Sequence, residues 1–420
     1  MNAEKNYAVE FIAGLTTFLT MAYIIFVNPQ ILAESGMDKT TLVIVTCLVS
    51  GIITIASGIF TNTPLAMAPG MGLNAFFTYG LVLGHGLSWQ TALGIVFISG
   101  LFFLILTWLG LRRRIVKAIP SDLLQAIAVG IGIFIAFIGL QNLGLVVKNE
   151  ATLIGVGTLG KPVLFGLAGL GLMVFLEMKR VRGALLLGIV FTSILFMLAG
   201  LTPWPEKTLS FRLDLSSLTG QLDIIGALRL SLLAPIFTLM FMDLFDSIGT
   251  LLACGRAADL DSQGRYSKSI DRLLTMDASA TMFGAFMGTS TTTAYIESAS
   301  GIAAGGRSGL TAVICGLLFL LVLPVAPLLA VIPPQATAPA LIMVGFTMVK
   351  SITRIDFYRM EIAFPSFVII LFIAFTFSIS TGLAFGFLSY SLLAVLRGKF
   401  RAISPTLWLI NLLCLVYFLV

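Results

Sequence analysis

Apolar runs long enough to cross a hydrocarbon core of about 30 Å, roughly 20 residues each, follow one another along this chain almost to its last residue. Each run reads as a transmembrane helix, so the fold class is an all-α polytopic membrane protein. The chain is 58% hydrophobic and only 10% charged, and a soluble exterior cannot be built from so little polar surface. The longest polar connections are about 20 residues, which leaves no room for a soluble domain. Residues 1–420 therefore form a single transmembrane domain.

Hydropathy read against Gly, Pro and charge breaks predicts spans near 11–33, 41–60, 64–83, 90–110, 120–141, 161–178, 183–201, 230–254, 273–288, 289–305, 309–329, 336–350, 362–378 and 379–396. The opening MNAEKNYAVE lacks the basic region, short apolar core and small-residue site of a cleavable leader, so the stretch from Phe11 to Leu32 is expected to remain as a span. The apolar tail, residues 405–420, is short for a span and is left either along the interface or crossing at a tilt.

The chain carries a net charge of +6. In a membrane protein this reflects basic residues gathered on cytoplasmic loops, and no nucleic-acid partner is implied. With the N-terminus inside, the clusters Arg112-Arg113-Arg114-Lys117, Lys179-Arg180-Arg182, Arg265-Lys268-Arg272 and Arg397-Lys399-Arg401 all face the cytoplasm. Only Lys39, Lys148, Lys161, Lys207, Arg212 and Arg229, of 25 basic residues, then face outside. The opposite topology inverts that bias.

Two distant stretches read alike. Ala118-Ile119-Pro120 opens SDLLQAIAVGIGIFIAFIGL, and Val331-Ile332-Pro333 opens PQATAPALIMVGFTMVKSI. GALLLGIVFTSIL (183–195) matches GLAFGFLSYSLL (382–393) in its Gly and apolar spacing. These pairs relate a first half of seven spans to a second half of seven. Seven is odd, so the halves are upside down relative to each other, the arrangement of alternating-access transporters with a midplane site.

The third span of each half departs most from helix rules. NTPLAMAPGMGLNAFFTYG (62–80) carries Pro64, Pro69, Gly70 and Gly72 in its leading part, and GTSTTTAYIESASGIAAGGR (288–307) opens on a Ser/Thr run. Proline removes a backbone donor and β-branched threonines prefer extended chain. Both leading halves are thus expected to be strands and both trailing halves helices, beginning near Asn74 and Glu297. Non-helical backbone at that depth survives only where protein buries it or where it lines a cavity. The helix starts are expected to aim free N–H groups at one central point.

Ionisable residues inside the spans are few: Asp243 and Asp246 in FMDLFDSIGTL, Asp277 in MDASATMFGAF, and Glu297 in YIES. An intramembrane carboxylate is usually paired, protonated or facing water. Asp243 and Asp246 stand three apart on a helix and do not readily ionise together, which suits proton coupling. For Asp243 and Asp277 a purely structural hydrogen-bonding role is an equal alternative.

Other signals carry little. Gly155-Val-Gly-Thr-Leu-Gly160-Lys161 imitates a phosphate loop, but Pro162 stands where the magnesium-binding hydroxyl belongs. His85 has no second His or Cys nearby to form a metal site. Cys47, Cys254, Cys315 and Cys414 lie in apolar segments without metal-ligand spacing and read as small buried hydrophobes. No cofactor is implied, and no histidine is placed to activate the Ser and Thr hydroxyls, which argues against an enzyme.

The segments FIAGLTTFLTMAYIIFVNP (11–29), PLAMAPGMGLNAFF (64–77), MDLFDSIGTL (242–251), TSTTTAYIESASGIAAGGRSGLTA (289–312) and ATAPALIMVG (336–345) resemble the nucleobase–cation symporter family of nucleobase/ascorbate transporters, in its adenine/guanine/hypoxanthine permease branch. The resemblance implies fourteen spans in two inverted repeats. It implies a core of spans 1–4 and 8–11 (about 11–110 and 230–329) and a gate of spans 5–7 and 12–14 (about 120–201 and 336–396). Substrate contacts are implied at Asn74, Ala75 through its backbone, Asp246 in D-S-I-G, Ile296 and Glu297. Proton coupling is implied at Asp246, with Asp243 and Glu297. One departure is visible: from Glu297 to Gly301 the spacing is one residue longer than in the uracil carriers, which weakens transfer along the span-ten helix beyond Glu297.

The expected function is thus import of a purine nucleobase with protons across a bacterial inner membrane. A purine offers N–H donors and ring acceptors on its edge, which carboxylates and an amide can read. Alternatives are uracil or xanthine specificity, or an anion carrier of the same architecture, although two acids at the site would repel an anion. An intramembrane enzyme and a passive channel are further readings. The preferred purine, the proton stoichiometry and whether the chain works as a homodimer are not legible.

Overall fold

A computed structural model describes residues 7–110, 119–204, 209, 214–257, 266–400 and 403–419. Arg112, Arg113, Arg114, Lys117, Ala118, Lys207, Arg212, Arg265 and Arg401 lie outside the described residues, as does the side chain of Lys268.

The first span is two helices, α1 (Tyr7–Met21) and α2 (Ile24–Ala33), with a break at Ala22–Tyr23. Two local features weaken a continuous helix there. The Thr17 hydroxyl donates back to the Ala13 carbonyl and the Thr20 hydroxyl to those of Thr16 and Thr17, a pattern that bends helices. Pro29 then removes a donor inside α2. Span 2 is α3 (Lys39–Thr61), capped by Asp38, whose carboxylate accepts from the Thr41 N–H at 2.7 Å.

Span 3 is the mixed element expected: strand β1 (Met67–Pro69), helix α4 (Met71–Ala75), and a π-helical stretch Phe76–Gly84. Span 4 is α5 (Trp89–Trp108) and span 5 is α6 (Ser121–Leu143). An antiparallel hairpin, β2 (Val146–Asn149) with β3 (Leu153–Val156), fills the connection to α7 (Lys161–Met178). That connection lies between the predicted spans 120–141 and 161–178. Span 7 is α8 (Ala184–Leu198), and a single turn, α9 (Ile224–Ala227), precedes the second half.

That half runs α10 (Leu233–Ala257) and α11 (Tyr266–Met287), then β4 (Thr292–Ala294) with α12 (Ser298–Ala303). After these come α13 (Gly309–Leu321) with the short α14 (Ala326–Ala330), then α15 (Pro334–Val349), α16 (Met360–Thr376) and α17 (Ile379–Leu396). α11 starts seven residues before the predicted 273, because a helix continues through polar residues once its apolar part is packed. The tail forms α18 (Pro405–Leu419), packed on α17 and α10, with the Asn411 amide donating to Ser391 Oγ at 2.6 Å.

Among the described residues, nine helices or joined helix pairs are long and apolar enough to cross a bilayer, and Met71–Gly84, Ala184–Leu198 and Met360–Thr376 are shorter apolar helices. With α11 and the β4–α12 element they make the fourteen spans.

Packing follows the two-fold relation between the halves. Span 2 packs on span 11, and its mirror, span 9, packs on span 4. Span 1 packs on span 11, and span 8 on span 4; span 6 lies on span 7, and span 13 on span 14. Spans 5 and 12, each other's mirror, pack together. Where axes approach most closely, glycines make it possible. A Cβ at Gly309 would overlap the Gly58 carbonyl and one at Gly58 would overlap that of Gly309; Gly132 and Gly345 stand in the same reciprocal relation.

Candidate functional site

β1 and β4 pair antiparallel, with Met67 opposite Ala294, Ala68 opposite Thr293 and Pro69 opposite Thr292. The Gly70 N–H to Thr291 carbonyl bond (2.9 Å) and the Tyr295 N–H to Ala66 carbonyl bond (3.0 Å) extend the ladder at its ends. Two short strands would be marginal alone, so side chains brace them. Met67 turns both backbone groups away from β4 to a single hydroxyl: Thr54 Oγ1 donates to the Met67 carbonyl at 2.8 Å and accepts its N–H at 3.0 Å. Ser298 Oγ accepts the Ala66 N–H at 3.0 Å, and the Tyr295 hydroxyl donates to the Pro69 carbonyl at 2.5 Å. On the opposite flank, Thr281 Oγ1 lies 2.8 Å from Asp243 Oδ2 and 3.2 Å from the Thr292 carbonyl, so its one proton is shared between them.

The acids divide into a rear group and a front group. Asp243 (1% exposed) and Asp277 (0%) are sealed behind β4. Asp277 accepts from Ser247 Oγ and from the Ala294 N–H at 3.2 Å, and Ser247 in turn meets Thr293 Oγ1 at 2.7 Å. The second oxygen of Asp243, Oδ1, has no partner among the described residues.

Asp246, one residue before Ser247, faces the other way. It is exposed although it sits near the middle of α10. Glu297, at the start of α12, is half-buried, and Ile296 beside it is 50% exposed. Asp246 and Glu297 are near enough for their charges to interact. Glu297 Oε1 accepts the Tyr23 hydroxyl at 2.6 Å. The pair Asp243 and Asp246, three apart on the helix, is thus split: one faces the strand, the other open space with Glu297.

Asn74 and Ala75 are both fully buried. The Asn74 amide donates to Asn28 Oδ1 at 2.5 Å and its oxygen accepts from Ser290 Oγ. Asn28 Nδ2 passes the chain on to Thr46 Oγ1 at 2.6 Å and lies 3.3 Å from Thr289 Oγ1. Four spans are tied together by this directional run of buried polar bonds. The helix starts differ from expectation on one side: the N–H groups of Ser298, Ala299 and Ser300 close a tight turn onto the carbonyls of Tyr295, Ile296 and Glu297, so they are not free to meet a ligand.

The sequence reading therefore names the two accessible acids and passes over Tyr23, Asn28, Thr54 and Ser247. Asn28 had a visible signal, being an amide inside an apolar span. The others are residue types common in any membrane helix.

A family model described as a permease family matches residues 8–385. The chain is 46% identical over 414 residues to a putative permease of Methanocaldococcus jannaschii, covering 98% of this chain and 94% of that protein. It is 43% identical to an adenine permease of Escherichia coli (94% of this chain, 89% of that protein). It is 40% identical to a guanine/hypoxanthine permease of Bacillus subtilis (99% and 97%). The solved transmembrane domain of a cyanobacterial bicarbonate transporter superposes with a TM-score of 0.66 at 17% identity, over 90% of this chain and 98% of that one. That likeness concerns the fold, which has the same seven-plus-seven inverted repeat. Relatives that are permeases mark a transporter rather than an enzyme, and the apolar helices mark a multi-pass membrane protein. On its fold and on identity along nearly its full length, the chain belongs to the permease family of nucleobase/ascorbate transporters, alongside adenine and guanine/hypoxanthine permeases.

Proposed function

We propose that this permease imports a purine nucleobase (adenine, guanine or hypoxanthine) together with protons, by alternating access across a bacterial inner membrane with its N-terminus in the cytoplasm. The observation that carries the proposal is the placement of two carboxyls, Asp246 exposed on α10 and Glu297 half-buried just before α12, near enough for their charges to interact and beside the only paired strands within the described spans. A purine edge presents N–H donors, and each charge-assisted bond to a carboxylate contributes about 1.5–3 kcal/mol. The names of the adenine and guanine/hypoxanthine permeases support the same substrate class.

In this proposal Asp246, Ile296 and Glu297 face the base from spans 8 and 10. Asn74 and the backbone of Ala75 complete the site from span 3, with Asn74 exchanging one of its present partners, Asn28 or Ser290, on contact. Asp246 and Glu297 take up the coupled proton. Asp243 assists, since its Oδ1, without a partner among the described residues, can accept a proton without breaking a bond seen there. Spans 1–4 and 8–11 act as a core moving against a gate of spans 5–7 and 12–14; the packing within each set supports that division.

Uptake of radiolabelled adenine, guanine and hypoxanthine in cells lacking their own carriers tests the proposal. Accumulation abolished by a protonophore supports it. Uptake indifferent to the proton gradient removes the coupling, and no uptake of any purine removes the substrate class. Anion transport is the less favoured reading, because two facing carboxyls repel an anion.

A further inference from the structure

Tyr23 occupies the one break in the first span, between α1 and α2, and is buried at 3% exposure. The ring reaches across to span 10 and donates its hydroxyl to Glu297 Oε1 at 2.6 Å. That length is typical of an O–H donor on a carboxylate. Tyr23 is thus buried, while Glu297 itself is half-buried and its neighbour Ile296 is half exposed. A phenol hydroxyl carries one proton, so it fills one acceptor position of Glu297 and restrains the rotation of the carboxylate. The carboxylate keeps further acceptor positions that Tyr23 does not use.

We infer that Tyr23 is a positioning residue for the substrate: it holds Glu297 as an oriented acceptor, so that the carboxylate receives an N–H of the base in one geometry. The inference rests on the proposed purine site. Its consequence is specific. Without the phenol, Glu297 is free to rotate and must be ordered anew by each incoming base, a cost that appears in binding. Turnover is expected to change little, because the hydroxyl's partner is Glu297 and not a residue of the proposed gate.

The test is a double-mutant cycle on the purified protein, with guanine, hypoxanthine and adenine as the probes in a calorimetric titration. Tyr23→Phe removes a single oxygen and keeps the ring. It is expected to weaken Kd on the order of tenfold and to raise the uptake KM similarly, with the maximal rate within about twofold. In a Glu297→Ala background, which removes the acceptor, Tyr23→Phe is expected to cause almost no further loss, because the pair acts as a unit. An unchanged Kd in the single variant overturns the inference. So does an equal loss in both backgrounds, which would mark a merely structural residue. If Tyr23→Phe does not yield folded protein by its melting temperature, p-aminophenylalanine introduced at position 23 replaces it. That side chain keeps a donor at the reach of the phenol and is expected to stay within about threefold of the parent in Kd; a tenfold loss in the folded variant overturns the inference. If the unaltered protein binds none of the three bases, it is the purine proposal that fails.

Discussion

Asp246 and Ser247 are neighbours in sequence, and one helical step of about 100° sends them to opposite tasks. Ser247 is fully buried and joins Asp277 to Thr293, holding β4 from behind. Asp246 stays exposed and meets Glu297. The two accessible acids were legible in the sequence because an ionisable side chain in an apolar span is rare and costly. Their supporting residues were not. Ser290 and Asn74 are separated by 216 positions, and nothing local to either announces the other. Asp246→Asn and Glu297→Gln are each expected to reduce purine affinity by about ten- to a hundredfold, the equivalent of one charge-assisted bond, with the melting temperature nearly unchanged because both groups are accessible. Titration of the purified variants checks this. Asp277→Asn should behave in the opposite way. It replaces an acceptor of two bonds by an amide, one face of which is a donor aimed at other donors, so the melting temperature should fall measurably whether or not a base is present.

At the scale of elements, the broken third and tenth spans could be read in advance, since Pro69 lacks a backbone donor and the threonine run favours extended chain. The break at Ala22–Tyr23 could not. It arises from Thr17 and Thr20 bonding back to carbonyls, a choice each hydroxyl makes only in the folded helix. The strand pair depends on donors outside itself, and Thr54 carries both backbone bonds of Met67. Thr54→Val keeps the shape and deletes the hydroxyl, leaving a buried N–H and a buried carbonyl unpaired. The expected loss is about 2–4 kcal/mol, seen as a lower melting temperature in detergent together with weaker purine binding, since β1 leads directly into α4. The crossing of α3 and α13 has a different weakness. Gly309→Leu places a branched side chain against the Gly58 carbonyl, and the helices must separate to hold it. Folded yield is expected to collapse, while the same substitution at Gly171, where the space around a Cβ is open, leaves yield intact.

For the whole molecule, the repeat was legible from two loop-to-helix openings and one glycine pattern, whereas the pairing of span 2 with 11 and of span 9 with 4 was not, because packing partners leave no mark on a uniformly apolar helix. That pairing gives the proposed core and gate a consequence that can be measured. Two polar contacts join the proposed parts at separate ends of span 1. Arg182 donates to Thr16 Oγ1 at 3.0 Å, and the Asn142 amide donates to Glu34 Oε1 at 3.3 Å. Residues 16 and 34 lie about 27 Å apart along a helix rise of 1.5 Å per residue, close to the thickness of the hydrocarbon core. Both contacts are made in this structure, and a core that moves against the gate to open the two faces in turn cannot keep both throughout the cycle. Tying one of them should therefore stop transport without touching the site. With Glu34→Cys and Asn142→Cys introduced together, a short reductively cleavable cross-linker is expected to abolish purine uptake, to leave base binding within about twofold, and to release uptake again on reduction. Each single cysteine variant, treated alike, should keep its uptake. If the cross-linked protein transports at the full rate, spans 1 and 5 do not separate during the cycle, and the division into a moving core and a gate has to be drawn elsewhere.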